Sequence, residues 1–272
     1  MATGSENWNL TVFRDSPAAS EATADVVSAA IRSKPDAAIA FPTGSTPLHM
    51  FDILAARAAR GDIDFSSVTV FCLDEYVGVT VEDPNSLTRW LKEGVLDRIG
   101  VKLERLHTLP VTAEDLTAAA AEYEKAIAAR GGLDLAVLGL GPNGHIGYNE
   151  PGSSAGSRTR VITLTPESRS QASAYWEGAV QIPDRAMTMG VGTLLEAKRI
   201  VLLVIGDAKA DMLRKTLEDP MSVEVPASWL RIAGPRLTVI ADEAAASSLS
   251  VMHPGQSAEP EHRGGASRDR SN

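Results

Sequence analysis

The stretch LDLAVLGLGPNGHIGYNEPGSS, Leu133 to Ser154, decides how the rest of the chain reads. Its first part, Leu133 to Leu138, is apolar almost throughout, the pattern of a strand buried on both faces. It runs straight into a glycine-rich turn that carries His145 and Glu150. Such a turn stands at the C-terminal edge of a parallel sheet, where open α/β proteins bind ligands. The glycines at 139, 141, 144 and 147 suit close backbone approach to a ligand better than a packed core. A carboxylate five residues beyond the imidazole is near enough to orient it. His145 and Glu150 are therefore candidates for acid/base chemistry.

On either side of this stretch, strand-like runs alternate with amphipathic helical stretches. Strands are predicted at Asn9 to Phe13, Ala37 to Phe41, Val68 to Leu73, Leu133 to Leu138, Ile200 to Ile205 and Leu237 to Ala241. Helices are predicted at Ala18 to Arg32, Pro47 to Arg60, Asn85 to Arg98, Ala113 to Ala129 and Ala208 to Leu217. Strands that are apolar along their whole length and alternate with helices imply a mostly parallel sheet covered on both faces. The expected fold is α/β: a single, doubly wound, Rossmann-like sheet with a lid segment. One domain is expected over residues 1–253. The tail from Pro254 to Asn272, rich in Gly, Ser, Pro and charge, is expected to be disordered.

The chain has 272 residues, 44% of them hydrophobic, enough for one large core. Its 26 basic and 35 acidic residues give a formal charge of −9, which argues against nucleic acid or an anionic membrane as partner and for a small molecule. A single cysteine, Cys72, rules out an internal disulfide and offers no zinc spacing. It lies inside an apolar run and reads as a small buried hydrophobe. No signal peptide or membrane-length apolar run is seen, so a cytoplasmic protein is expected. A homo-oligomer is compatible with the sequence.

Two further strand ends carry polar motifs that the sheet would bring beside the first. Pro42 to Pro47, PTGSTP, stands between a strand and a helix. Its glycine, hydroxyls and helix N-terminus are what a phosphate needs, although Ser45 or Thr46 alone would also serve as a helix cap. Asp74-Glu75-Tyr76 follows the strand ending at Leu73. Adjacent residues of an extended chain point in opposite directions, so one carboxylate faces a ligand and the other is structural. A partly desolvated carboxylate there has the raised pKa of a general base. His49, His107, His253 and His262 lack such a setting and read as incidental.

Taken together, FPTGSTPL, FCLDEYVG, GLGPNGHIGYNEPGSS followed by SRTR, and MTMGVGTLLEAKRIVLLVIGDAK resemble the glucosamine-6-phosphate deaminases, within the wider sugar-phosphate isomerase and 6-phosphogluconolactonase superfamily. The resemblance runs from about Asn9 to Glu243. It implies opening of the sugar ring by His145 with Glu150 and Asn143, proton transfer from C2 to C1 by Asp74, and loss of ammonia to give fructose 6-phosphate. It implies a phosphate site of Thr43, Gly44, Ser45, Thr46 and Lys209, with Glu75 as an auxiliary pocket residue, and no cofactor or metal. The chain departs from the family pattern twice. Asn143 stands where many of these deaminases have Asp, and Ala174 stands where they have a phosphate-binding arginine. No Lys or Arg occurs between Ser170 and Asp184, which leaves Arg158, first, and Arg160, Arg169 or Arg185 as candidate replacements.

The altered segment motivates an alternative, a dehydratase or isomerase acting on N-acetylglucosamine 6-phosphate or a related sugar phosphate. There the carbanion at C2 would expel the C3 hydroxyl, with Tyr175 and Trp176 accommodating the acyl group. A less favoured alternative is a non-catalytic sugar-phosphate-binding module. Regulators of that kind carry a helix-turn-helix, and too few residues precede the first strand to hold one.

Overall fold

Every strand predicted from an apolar run forms, and all of them join one sheet. The computed structural model describes residues 8–173 and 182–250; Ala174, Tyr175, Trp176, His253, His262 and the tail from Pro254 lie outside them. The chain begins with β1 (Asn9–Phe13), α1 (Ser16–Ser33), β2 (Ala38–Phe41), α2 (Leu48–Ala59), β3 (Thr69–Cys72) and the short β4 (Asp74–Tyr76). The helix expected from Asn85 to Arg98 is divided into α3 (Leu87–Leu91), a wide π-helical turn at Lys92–Leu96, and α4 (Asp97–Ile99). Next come β5 (Leu106–His107), α5 (Leu116–Ala129), β6 (Leu135–Gly139), β7 (Arg160–Thr163), α6 (Pro166–Ser173), β8 (Arg185–Thr188) and α7 (Val191–Leu195). The described chain closes with β9 (Ile200–Val204), α8 (Ala210–Glu218), β10 (Leu237–Asp242) and α9 (Glu243–Ala246).

The main sheet has seven strands in the order β1-β10-β9-β6-β2-β3-β5, and each pairing is parallel. Alternate residues feed two separate cores, as a two-sided sheet requires. Ala38, Ala40, Phe71 and Leu138 face one core with α5 and α8. Ile39, Phe41, Val70 and Val137 face the other with α1 and α2. Fully burying an aromatic such as Phe41 or Phe71 supplies about 1.5–3 kcal/mol of the stabilisation.

The expectation of a single sheet needs correction. β4, β8 and β7 form a second, three-stranded antiparallel sheet. Asp74 is thus a strand residue, paired with Thr188. These strands are three or four residues long, and β7 is half-exposed, so neither length nor alternation announces them in the sequence.

The order of the main sheet also locates the binding crevice. From β2 the chain passes to β3 on one side, while β6, reached later, lies on the other. That reversal is a topological switch point, where the loops leaving the C-terminal ends of the strands part and open a crevice.

Candidate functional site

A cavity of about 190 Å³ lies at this switch point. Loops from four neighbouring strands line it: Thr43 to Thr46 after β2, Asp74 after β3, Gly139 and Leu140 leaving β6, and Lys209 after β9. Pro84 to Leu87, Trp90, Tyr76 and Tyr148 close one side, and Ser168 and Ala172 of α6 another.

Asp74 and Glu75 part company as alternate strand residues do. Asp74 lines the cavity and is buried. Its Oδ1 has no hydrogen-bond partner among the described residues. Burial, and secondarily the negative charge of Glu75, push its pKa up to about 7. A carboxylate that is buried, unpaired and poised near neutrality has the properties of a general base. The expectation that Glu75 belongs to the pocket is corrected. Its carboxylate turns away and accepts hydrogen bonds from the backbone N–H of Tyr76 at 2.9 Å, Leu87 at 3.2 Å and Thr88 at 2.8 Å, and from Ser86 Oγ at 2.6 Å. Glu75 caps α3 and so fixes the Pro84 to Leu87 wall.

His145, Glu150 and Asn143 are brought together just behind the lining. The ring of His145 packs on Gly141, where a Cβ would stand within 2.3 Å of the imidazole, so only glycine fits there. Nδ1 of His145 approaches Glu150 Oε2 at 3.6 Å, an ion-pair distance but too long for a hydrogen bond. Burial pushes the Glu150 pKa up, but interactions with His145, Ser168 and Asn143 outweigh it and hold the carboxyl at about 2. Asn143 donates from Nδ2 to Glu150 Oε2 at 2.9 Å and accepts the His145 backbone N–H at 3.2 Å. The neutral amide thus has a positive use: an ionised Asp in that position would have no hydrogen to give and would repel Glu150. Replacing Asn143 with Ala leaves a buried carboxylate short of a donor. The expected loss is about 1–3 kcal/mol of stability, read as a lower urea midpoint with an unchanged slope.

Thr43, Gly44, Ser45 and Thr46 form the loop expected for an anion. Gly44 has φ +94°, which residues with a Cβ rarely adopt. The first turn of α2 carries no side-chain cap at its N-cap residue, Pro47, and the loop before it stands at a helix N-terminus, a setting that suits an anion. Lys209 is half-buried beside this loop, and desolvation lowers its pKa. Among the described residues it is the one Lys or Arg that lines the cavity.

The candidate replacements for an arginine are placed elsewhere. Arg158, expected at the phosphate, instead pairs with Glu124 at 2.6 Å and Glu196 at 2.7 Å, because two carboxylates beside its turn outcompete a distant anion. Arg160 donates to Asn149 Oδ1 at 3.0 Å and Ser153 Oγ at 2.7 Å, tying the start of β7 to the turn after Glu150. Neither these two nor Arg169 and Arg185 line the cavity. His107 stacks on Phe71 with ring centroids 4.4 Å apart, and Cys72 is buried with its thiol pushed up to about 12 by desolvation. No group of three or more His, Cys, Asp or Glu among the described residues is arranged to hold a metal.

Several lining residues are not singled out by the sequence. The hydroxyls of Tyr76 and Tyr148 meet at 2.7 Å, and Tyr76 stood in view within the Asp74 motif. Ser168 and the Pro84 to Trp90 wall carry no local signature and come to the cavity only through tertiary packing.

A family model described as glucosamine-6-phosphate isomerases/6-phosphogluconolactonase matches residues 16–239. A glucosamine-6-phosphate deaminase of Streptomyces avermitilis is 41% identical over 243 residues, covering 89% of this chain and 93% of that protein. The glucosamine-6-phosphate deaminase of Rhodopirellula baltica is 38% identical over 240 residues, covering 88% and 95%. Among solved structures, a monomeric glucosamine-6-phosphate deaminase superposes with a TM-score of 0.84 at 35% identity, covering 88% of this chain and 99% of that one. A 6-phosphogluconolactonase from Trypanosoma cruzi, at 19% identity and a TM-score of 0.73 over 91% of this chain and 99% of that one, shares the fold.

Proposed function

The chain belongs to the glucosamine-6-phosphate isomerase/6-phosphogluconolactonase family, and on that premise we propose that it is an isomerising deaminase that converts glucosamine 6-phosphate and water to fructose 6-phosphate and ammonia. The observation that carries the reading is Asp74: a buried carboxylate with an unpartnered oxygen, near-neutral pKa, and a place on the same cavity as an anion loop and a cation. A sugar phosphate anchored at one end and deprotonated at the other needs that pairing.

In this reading the phosphate rests on the Gly44 to Thr46 loop with Lys209. His145, oriented by Glu150, takes the proton of the anomeric hydroxyl and returns one to the ring oxygen, which opens the ring. Asp74 then removes the C2 proton, giving an enolamine as the C1 oxygen is protonated, and delivers the proton to C1 as the nitrogen gives up one of its own, leaving a C1 hydroxyl and an imine at C2. Water adds to that carbon and the C–N bond breaks, releasing ammonia. Water therefore enters the overall reaction, but the proton transfer defines it. Tyr76 and Tyr148 stand beside Asp74 with pKa values raised first by desolvation, so both remain neutral. A phosphorylated substrate does not cross bilayers unaided, which fits a cytoplasmic setting. No helix among the described residues is long and apolar enough to cross a membrane.

The test is incubation of the purified chain with glucosamine 6-phosphate and, separately, its N-acetyl form, assaying ammonia and fructose 6-phosphate. Equimolar release of both from the free amine is expected. Loss of water without ammonia, or turnover of the N-acetyl form alone, would replace this reading with the dehydratase alternative.

A further inference from the structure

Helix α6 is attached to the active-site carboxylate by its own N-terminus. The backbone N–H of Thr165 donates to Glu150 Oε1 at 3.3 Å. Thr165 Oγ1 accepts from Asn143 Nδ2 at 3.4 Å and from the backbone N–H of Ser168 at 3.2 Å, the latter in the manner of a helix cap. The result is to set Ser168, one turn into the helix, beside the imidazole. Ser168 is buried, lines the cavity, and holds its Oγ 3.3 Å from His145 Nδ1. That oxygen is nearer to Nδ1 than Glu150 Oε2, which stands at 3.6 Å. Among the described residues, Nε2 of His145 has no hydrogen-bond partner.

Resting on the deaminase reading, we propose that Ser168 is a positioning residue for His145. Its hydroxyl accepts the Nδ1–H of the imidazole and donates its own hydrogen to the Glu150 carboxylate. The chain of hydrogen bonds fixes the tautomer with the proton on Nδ1 and leaves the Nε2 lone pair as the basic site that ring opening requires. No proton is transferred along it at rest. A hydroxyl is suited to the place because it accepts and donates at once, which neither a carboxylate nor an amide nitrogen does. The arrangement also makes the imidazole's orientation conditional on α6 being docked, because the oxygen that orients it belongs to that helix.

The inference predicts a defect in turnover rather than in binding, since the phosphate loop and Lys209 lie on other strands. Ser168→Ala and Ser168→Val are expected to lower kcat about 10- to 100-fold with KM within about twofold. Ser168→Thr, the same shape as Val with the hydroxyl restored, is expected to retain most of the activity. Equal activity of the Thr and Val forms would overturn the inference. A second readout does not depend on turnover: nitrogen-15 NMR of labelled histidine in the full chain, assigned by comparison with His145→Gln. At a pH where the ring is neutral, His145 should carry its proton on Nδ1 in the wild type and shift toward the Nε2–H form in Ser168→Ala and Ser168→Val. An unchanged tautomer in both variants would also overturn the inference. If the wild type fails to deaminate glucosamine 6-phosphate while the tautomer still shifts, the functional reading falls and the positioning role stands.

Discussion

Asp74→Asn should be nearly inactive and more stable than the wild type. Removing a general base costs about 10²- to 10⁴-fold in rate, and among the described residues no other carboxylate lines the cavity to take its place. The gain in stability follows from the same chemistry. Folding moves the Asp74 pKa from the ordinary carboxylate range, about 3.9, to about 7. Between those values the folded state binds the proton and the unfolded state does not, so stability falls as pH rises from about 4 to 7. Above pH 7 the full cost of ionising Asp74 in the folded protein is in place, up to about 4 kcal/mol. The isosteric amide carries no charge and escapes it. Melting curves of the two proteins should converge near pH 4 and diverge toward pH 7, the variant melting higher. Wild-type kcat/KM should climb through the same interval as the base ionises. A variant with wild-type turnover, or one less stable than the wild type at pH 8, would remove Asp74 from the role of base.

The trade is of a common kind, in which a group kept for chemistry is held in an environment that disfavours its active form. Here the environment is built by the fold rather than by a charged partner. Asp74 sits on β4 opposite Thr188, and Gly147, which has φ +54°, lies close enough that a Cβ there would meet Asp74 Oδ2 at 3.3 Å. The second sheet and the glycine turn enclose the carboxylate without giving Oδ1 a donor.

That second sheet is also where the sequence was least legible. The strands of the main sheet announce themselves because β2 and β9 are apolar at each buried position and β3 at all but Thr69, and a run of that kind has one stable use. β4 is Asp-Glu-Tyr and β7 begins with an arginine, so their strand identity is imposed by pairing with β8 and not by composition. The same division holds in the site. Asp74, His145, Glu150, the Thr43 to Thr46 loop and Lys209 lie at or just beyond the ends of legible strands, which is why the sequence singles them out as candidates. The opposite faces of Asp74 and Glu75 followed from strand alternation, although only the structure shows that Glu75 is committed to capping α3. The contacts of Arg158 and Ser168 are not legible locally because their partners, Glu124 on α5 and His145 after β6, are more than twenty residues away. No spacing rule connects such pairs.

Lys209→Met should weaken substrate binding more than any other change outside the acid/base residues. The ammonium is half-buried, has no carboxylate partner among the described residues, and is disfavoured by desolvation. An incoming phosphate supplies the missing charge. A charge-assisted hydrogen bond of this kind contributes about 1.5–3 kcal/mol, or about 10- to 150-fold in KM, with a smaller change in kcat. Methionine keeps the length and apolar stem and removes the charge, so folding should be unaffected or slightly improved. Two comparisons make the result specific. Unphosphorylated glucosamine should be handled equally poorly by both proteins, because the lost contact is one it never makes. Wild-type affinity for the phosphorylated substrate should fall as alkaline pH approaches the depressed pKa of Lys209, whereas affinity of the Met variant should not follow that fall. An unchanged KM in Lys209→Met would mean that the phosphate is held by the backbone N–H groups of the Gly44 to Thr46 loop alone.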